Sequence, residues 1–344
     1  MIRTQQPSLA LGVWLLACAA VVWIMVVVGG ITRLTQSGLS MVEWAPIMGT
    51  LPPIGEAAWL AVFEKYKAYP EYQQLNLGMT LAEFKQIFWW EYGHRVLGRF
   101  IGLIYLLPLL FFLARGMVPK GWGWRLFGLF VLGGLQGLMG WYMVKSGLVD
   151  VPHVSQYRLT AHLGLAIVIF VCMLWFAMDF LRGAMPQRAS SQGYRRLTAL
   201  AVLVIFLMML SGGFVAGTKA GFIMNTFPTM NGQWLPNELW AMSPWWRNLF
   251  ENPVTIQFLH RVLAMLVVGV VLALFVVARK QNFTTRSGWL LTALGVQVSL
   301  GIAALVLVVP VAIGAAHQAG AVVLLATALW CAHSARKMPR SEAL

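Results

Sequence analysis

Residues 9–31 read LALGVWLLACAAVVWIMVVVGGI, with no charged side chain anywhere in the run. About 20 apolar residues at roughly 1.5 Å each cross the hydrocarbon core of a bilayer as a helix. Comparable runs recur at 94–114, 123–145, 158–182, 195–217, 255–278, 287–309 and 311–334. They are continuous and rich in Leu, Val, Ala and Gly rather than alternating, which selects helices over a closed barrel. Composition agrees: 59% of the 344 residues are hydrophobic and 10% charged, far from the balance of a soluble domain. The expected fold is an all-α integral membrane protein with eight transmembrane helices.

A net charge of +14 invites a nucleic-acid reading, and its distribution argues against one. Eight spans place both termini and the 115–125, 182–196 and 279–286 connections on one side. That side holds 14 of the 25 basic residues against only Asp179 and Glu342, whereas the other holds 11 bases and nine acids. Positive charge gathers on the cytoplasmic side, so both termini are expected there. The N-terminus shows neither a cleavage site nor an Arg- and Ser-rich transit pattern, which points to a bacterial inner membrane. Cys18, Cys172 and Cys331 fall inside spans, where thiols act as small apolar fillers and an extracytoplasmic disulfide is not expected.

An internal repeat runs along the chain. Gly29-Gly30 and Gly212-Gly213 close spans one and five, and each precedes a polar loop with a proline, Pro46 or Pro228. His94 opens HRVLGRF and His260 opens HRVLAML; Gln136 lies in GLQGLMG and Gln297 in GVQVSLG; His162 in AHLG matches His317 in AHQAG. The offsets shrink in order, as shorter loops in the second half require. Four spans per half give the halves one orientation, two parallel, tandemly duplicated four-helix bundles over 1–185 and 186–344. In the longest outer loop, 32–90, Thr80 and Glu83 form a capping box that starts span two near Leu81. Asn252-Pro253 starts the matching helix, and Trp89-Trp90 and Trp245-Trp246 mark the interface.

Of six histidines, His333 near the end of span eight and His153 in an outer loop read as surface residues. His94, His162, His260 and His317 lie in the outer parts of spans two, four, six and eight. One intramembrane histidine is readily explained by an interhelical hydrogen bond. Four on alternate spans at similar depth read better as two pairs of heme ligands, since zinc wants more ligands at closer spacing. Arg95 and Arg261 follow the first histidine of each half. Two readings stand for them, pairing with heme propionates or snorkelling to lipid phosphate.

The halves also differ. Glu91, one turn before His94, is matched by Gln257, and Arg99 by Met265. The first half is therefore read as the reaction site and the second as the seat of a permanent cofactor. Glu91 has its own plainer reading, a salt bridge with Arg95 at i+4, against a chemical role beside an iron ligand.

The segments GGITRLTQSGLSM (29–41) and EYGHRVLGR (91–99), with the three further histidines, resemble the heme A synthase family over essentially the whole chain. The long first outer loop without cysteine pairs is similar to the alphaproteobacterial and mitochondrial branch. The resemblance implies oxidation of the C8 methyl of heme O to a formyl group, giving heme A for cytochrome oxidase. By position, His94 and His162 would hold heme O, His260 and His317 would hold heme b, and Glu91 would be the catalytic acid. Arg95, Arg99 and Arg261 are the candidate cations for the heme carboxylates. The partners implied are an unidentified electron donor, heme O synthase, cytochrome oxidase assembly factors and, as an open possibility, a second copy of the chain in a homo-oligomer. Oxidation with both axial positions filled requires either loss of one ligand or electron transfer with water as nucleophile, and the sequence leaves both open.

Two rivals remain at this stage. A bis-histidine membrane cytochrome b explains the histidines but not the loss of Glu91 and Arg99 from the second half. A transporter explains parallel repeats, but its polar sites sit nearer the midplane on broken helices.

Overall fold

The computed structural model describes residues 8–43, 49, 51–148, 152–182, 190–281 and 283–336. Pro46 and the termini (1–7 and 337–344) lie outside the described residues, as do residues 183–189 of the 182–196 connection. Eleven α-helices run in chain order: α1 (Leu9–Leu34), α2 (Glu56–Lys67), α3 (Pro70–Gln74), α4 (Leu81–Ala114), α5 (Gly123–Gly147), α6 (Gln156–Arg182), α7 (Gln192–Gly217), α8 (Asn248–Glu251), α9 (Pro253–Arg279), α10 (Thr284–Val306) and α11 (Val311–Ala335). Eight of them are long and apolar enough to cross a membrane, and no strand occurs among the described residues. The chain is a multi-pass membrane protein.

The long helices form two rings of four. Helix α1 packs on α4 and α6, and α5 closes the ring between them; α7, α9, α10 and α11 repeat the pattern. The rings join where the first helix of each meets the last helix of the other, α1 on α11 and α6 on α7. Small residues allow the close approach: a Cβ on Gly30 would strike Gln318, and one on Gly213 would sit 2.8 Å from the Thr160 hydroxyl.

Local signals set the ends of the helices. Ser8 and Ser191 cap α1 and α7 by accepting from Leu11 and Tyr194 amides. Both helices end at a threonine whose hydroxyl donates to the carbonyl four residues back, Thr35 to Ile31 and Thr218 to Phe214, each at 2.8 Å. The next residues, Gln36 and Lys219, both turn left-handed. Thr80 and Glu83 form the expected capping box at the start of α4, and Asn252 caps α9 with Pro253 in its first turn.

Two expectations are corrected here. Residues 307–309 do not extend α10: Val308 and Val309 adopt φ of 59° and 55° in a tight turn into α11, conformations that β-branched residues rarely take. His333 is not a surface residue. It is 3% exposed, because the last turn of α11 packs on α6, where Asp179 Oδ1 lies 2.8 Å from His333 Nε2. Arg182 donates to the His333 carbonyl at 2.7 Å, so this cluster ties the rings together at the end bearing the termini. His153 is exposed, as expected.

At the opposite end, the first long loop folds rather than wandering. Helix α2 lays Trp59, Phe63 and Tyr66 against Phe84 and Phe88 of α4 as a separate apolar cluster, with Tyr72 of α3 packed on it. Tyr92 of α4, two residues before His94, packs on the same cluster.

Candidate functional site

All four predicted ligand histidines lie toward the loop end of their helices, two per ring. His94 of α4 and His162 of α6 belong to the first ring, and His260 of α9 and His317 of α11 to the second. Each imidazole packs on a glycine of a neighbouring helix. A Cβ at Gly29 would lie 3.1 Å from His94, at Gly140 3.1 Å from His162, at Gly212 3.5 Å from His260 and at Gly301 2.8 Å from His317. These glycines occupy matched positions in the two rings, so space for the rings is built in twice.

Second contacts orient the rings. Gln136 Nε2 donates to the His162 carbonyl at 3.0 Å, and Gln297 Nε2 to that of His317 at 2.9 Å. The same amides lie 3.4 Å from His162 Nε2 and 3.2 Å from His317 Nδ1. Sequence comparison of the halves marked both glutamines as repeat positions without assigning them this task. Ser211 Oγ lies 3.1 Å from His260 Nδ1, which leaves Nε2 for a ligand role. Val28 stands at the position matching Ser211, so His94 has no such hydroxyl.

The largest difference sits one turn before the first histidine. Glu91 is 2% exposed. Its Oε2 accepts from Ser40 Oγ and the Met41 amide, both at 2.7 Å, and its Oε1 accepts from Arg95 at 2.6 Å. Arg95 also donates to the carbonyls of Met41 at 2.8 Å and Glu43 at 3.2 Å. The i,i+4 salt bridge therefore exists, and it belongs to a clamp that holds the chain after α1 over the histidine helix. In the second ring Gln257 builds the clamp with reversed polarity. It donates to the Ala220 and Ile223 carbonyls at 2.8 and 2.6 Å and accepts from Arg261 at 3.1 Å. Arg261 also reaches the carbonyls of Met224, Pro228 and Thr229. Arg99 is half-buried one turn beyond Arg95, and its counterpart Met265 is 66% exposed.

The donor set suits heme better than a bare metal ion. Among the described residues no three His, Cys, Asp or Glu side chains gather as a metal cluster. Two imidazoles per ring, with an arginine one residue past the first of them, fit a porphyrin iron and its carboxylates. His162 Nδ1 and Arg261 Nε are buried without a protein partner, so each has hydrogen-bonding capacity in hand.

The chain is similar to known proteins over nearly its whole length. Residues 12–329 match the cytochrome oxidase assembly protein family, COX15-CtaA. The chain is 50% identical to the heme A synthase of Nitrosospira multiformis over 95% of its own length and 94% of that protein. It is 49% identical to the heme A synthase of Nitrosomonas eutropha, covering 94% and 93% of the two chains. It is 48% identical to that of Parvibaculum lavamentivorans, covering 97% of each.

Proposed function

The chain belongs to this family of heme A synthases, and we propose that it is an oxidoreductase that converts the C8 methyl of heme O to the formyl group of heme A. In this reading residues 1–185 form the substrate half, where His94 and His162 hold heme O. Residues 186–344 form the cofactor half, where His260 and His317 hold heme b. The observation that carries the assignment is the asymmetry of the two clamps. A buried carboxylate, Glu91, stands beside His94, whereas the uncharged Gln257 stands beside His260. The hydroxyl contact from Ser211 to His260 suits a ligand that stays in place.

Heme b supplies one-electron redox chemistry when bound. The rest falls to the chain's own side chains. His94 and His162 fix the substrate's orientation, with Gln136 holding the α6 backbone at His162. Arg95, Arg99 and Arg261 neutralise heme carboxylates at the loop end of the rings. Glu91 is the candidate acid–base residue of this half, its carboxylate positioned by Ser40, Met41 and Arg95. The same carboxylate would stabilise positive charge developing on the methyl carbon.

The charge asymmetry supports a bacterial inner-membrane location with both termini in the cytoplasm. The histidine pairs then lie toward the extracytoplasmic side.

Pigment extraction from the purified protein tests the function. Heme b together with heme O, heme A or the alcohol between them is expected. Heme b alone, in a protein that leaves added heme O unchanged, would reduce the chain to an electron-transfer cytochrome.

A further inference from the structure

A cleft of about 330 Å³ opens on the first ring, lined by Met41, Val42, Tyr69, Arg95, Trp141 and Lys145, with Val144 and Leu148 behind. Its size is in the range of small-molecule sites. Two lining residues adjoin the site along the chain: Arg95, which pairs with Glu91, follows His94, and Trp141 follows Gly140, which packs on the His162 ring. Lys145 is exposed at its mouth, 5.0 Å above the Trp141 ring. The wall is amphipathic, with cations beside apolar and aromatic surface.

The matching seam of the second ring is built differently. Arg95 donates to the Met41 carbonyl and Arg261 to the Met224 carbonyl, so Val42 corresponds to Asn225. Counting from the glycine that contacts each ring's second histidine, Val144 corresponds to Leu305 and Lys145 to Val306. Where Val42 and Val144 line an opening, the Asn225 amide donates to the Leu305 carbonyl at 2.8 Å and to the Gly221 carbonyl at 2.8 Å. Asn225 thus latches the loop to the end of α10, and α9 packs on α10 more extensively than α4 does on α5. One ring is open between its second and third helices, and the other is bolted at the same place.

We propose that the Val42–Val144 cleft is the route by which heme O enters and heme A leaves, that Lys145 receives a carboxylate of the passing heme, and that the Asn225–Leu305 latch keeps heme b from leaving. The inference rests on the assignment of heme O to the first half. A substrate site must exchange its occupant at every turnover and a cofactor site must not, and the two seams differ in that sense. The occupant fits the wall: an apolar macrocycle with two carboxylates meets Trp141, Tyr69 and valines beside Lys145 and Arg95.

The test uses the purified full-length protein carrying heme b. Lys145→Glu should raise KM for added heme O by about tenfold at low salt, with kcat much less affected, because the altered charge steers and holds a carboxylate rather than taking part in oxidation. Asn225→Val should hasten transfer of heme b to added apomyoglobin by at least about tenfold, a dissociation effect expected when a closing contact is removed. Val42→Asn should slow both heme O uptake and heme A release. An unchanged KM in Lys145→Glu, or unchanged heme b transfer in Asn225→Val, would overturn the proposal while leaving the assignment of the halves intact. Heme b lost from Lys145→Glu with heme O affinity unaltered would instead show that the halves had been exchanged, and would overturn the proposal with it.

Discussion

Glu91→Gln asks whether the buried carboxylate acts on protons or merely anchors a loop. A glutamine has one acceptor oxygen where the carboxylate has two. If that oxygen stays on Ser40 and Met41, the new amide faces the Arg95 guanidinium, donor to donor. If it turns to Arg95, the amide faces the Met41 N–H. Either way one charge-assisted hydrogen bond is lost, worth about 1.5–3 kcal/mol. Loss of one partner from a fully buried ion pair can cost about 3–5 kcal/mol. The lower range applies, because Arg95 keeps the Met41 and Glu43 carbonyls as acceptors. The strain is local to residues 37–43, and the Gln257–Arg261 pair already demonstrates that a clamp can be made with glutamine. Fold and heme content should therefore survive, while conversion falls by about 10²–10⁴ if Glu91 is the positioned acid–base group. Pigments extracted from cells that depend on the variant should shift from heme A to heme O or the alcohol. Ser40→Ala is the control: it removes one anchor, leaves the carboxylate, and should cost less than about tenfold in turnover, since roughly 1.4 kcal/mol is a factor of ten. Near-normal heme A with Glu91→Gln would refute the catalytic reading. So would a Ser40→Ala defect as deep as that of Glu91→Gln.

Other outcomes follow from the same geometry. Gly301→Ala should deplete heme b more than Gly212→Ala, because the new methyl meets His317 at 2.8 Å but His260 only at 3.5 Å; equal depletion in pigment assays would contradict the cradle. Burial raises the Glu71 carboxyl to about 7, a shift the Tyr66 hydroxyl partly offsets and Glu91 adds to. The folded loop then binds a proton that the unfolded loop releases between about 4.5 and 7, so its stability is greatest below that window. It should fall by up to roughly 3 kcal/mol as pH rises through the window. Hydrogen exchange of α2 and α3 should show this fall in the native chain and not in Glu71→Gln; an identical slope in both would reject the assignment. Reporter fusions after Pro119 and Arg286 should score cytoplasmic and those near Glu71 and Glu238 extracytoplasmic, any inversion meaning a miscounted span.

Much of the architecture was legible because bilayer solvation writes itself into composition. Each apolar run became one helix, and the capping residues Thr80 and Asn252 placed two boundaries that hydropathy alone would miss. Hydropathy failed where apolar residues turn: Leu307 to Val309 are as apolar as the helix before them, yet they form the bend into α11. It also passed over α2, although Trp59, Phe63 and Tyr66 recur at helical spacing, because the segment reads as a charged loop. His333 was misread because its partner, Asp179, lies 154 positions away. The site divides in the same way. The histidines and the Glu91–Gln257 contrast are visible in the chain. The reach of Glu91 to Ser40 and Met41, the hold of Gln136 and Gln297 on the histidine backbones, and the Asn225 latch arise only when distant segments meet.

The central claim is that two histidine pairs hold two hemes with different fates, and pigment analysis of His94→Ala beside His260→Ala tests it most directly. His94→Ala should retain heme b and lose heme O and heme A. His260→Ala should lose heme b while the substrate half still takes up heme O. Loss of the same pigment from both variants, or loss of heme b from His94→Ala alone, would contradict the account.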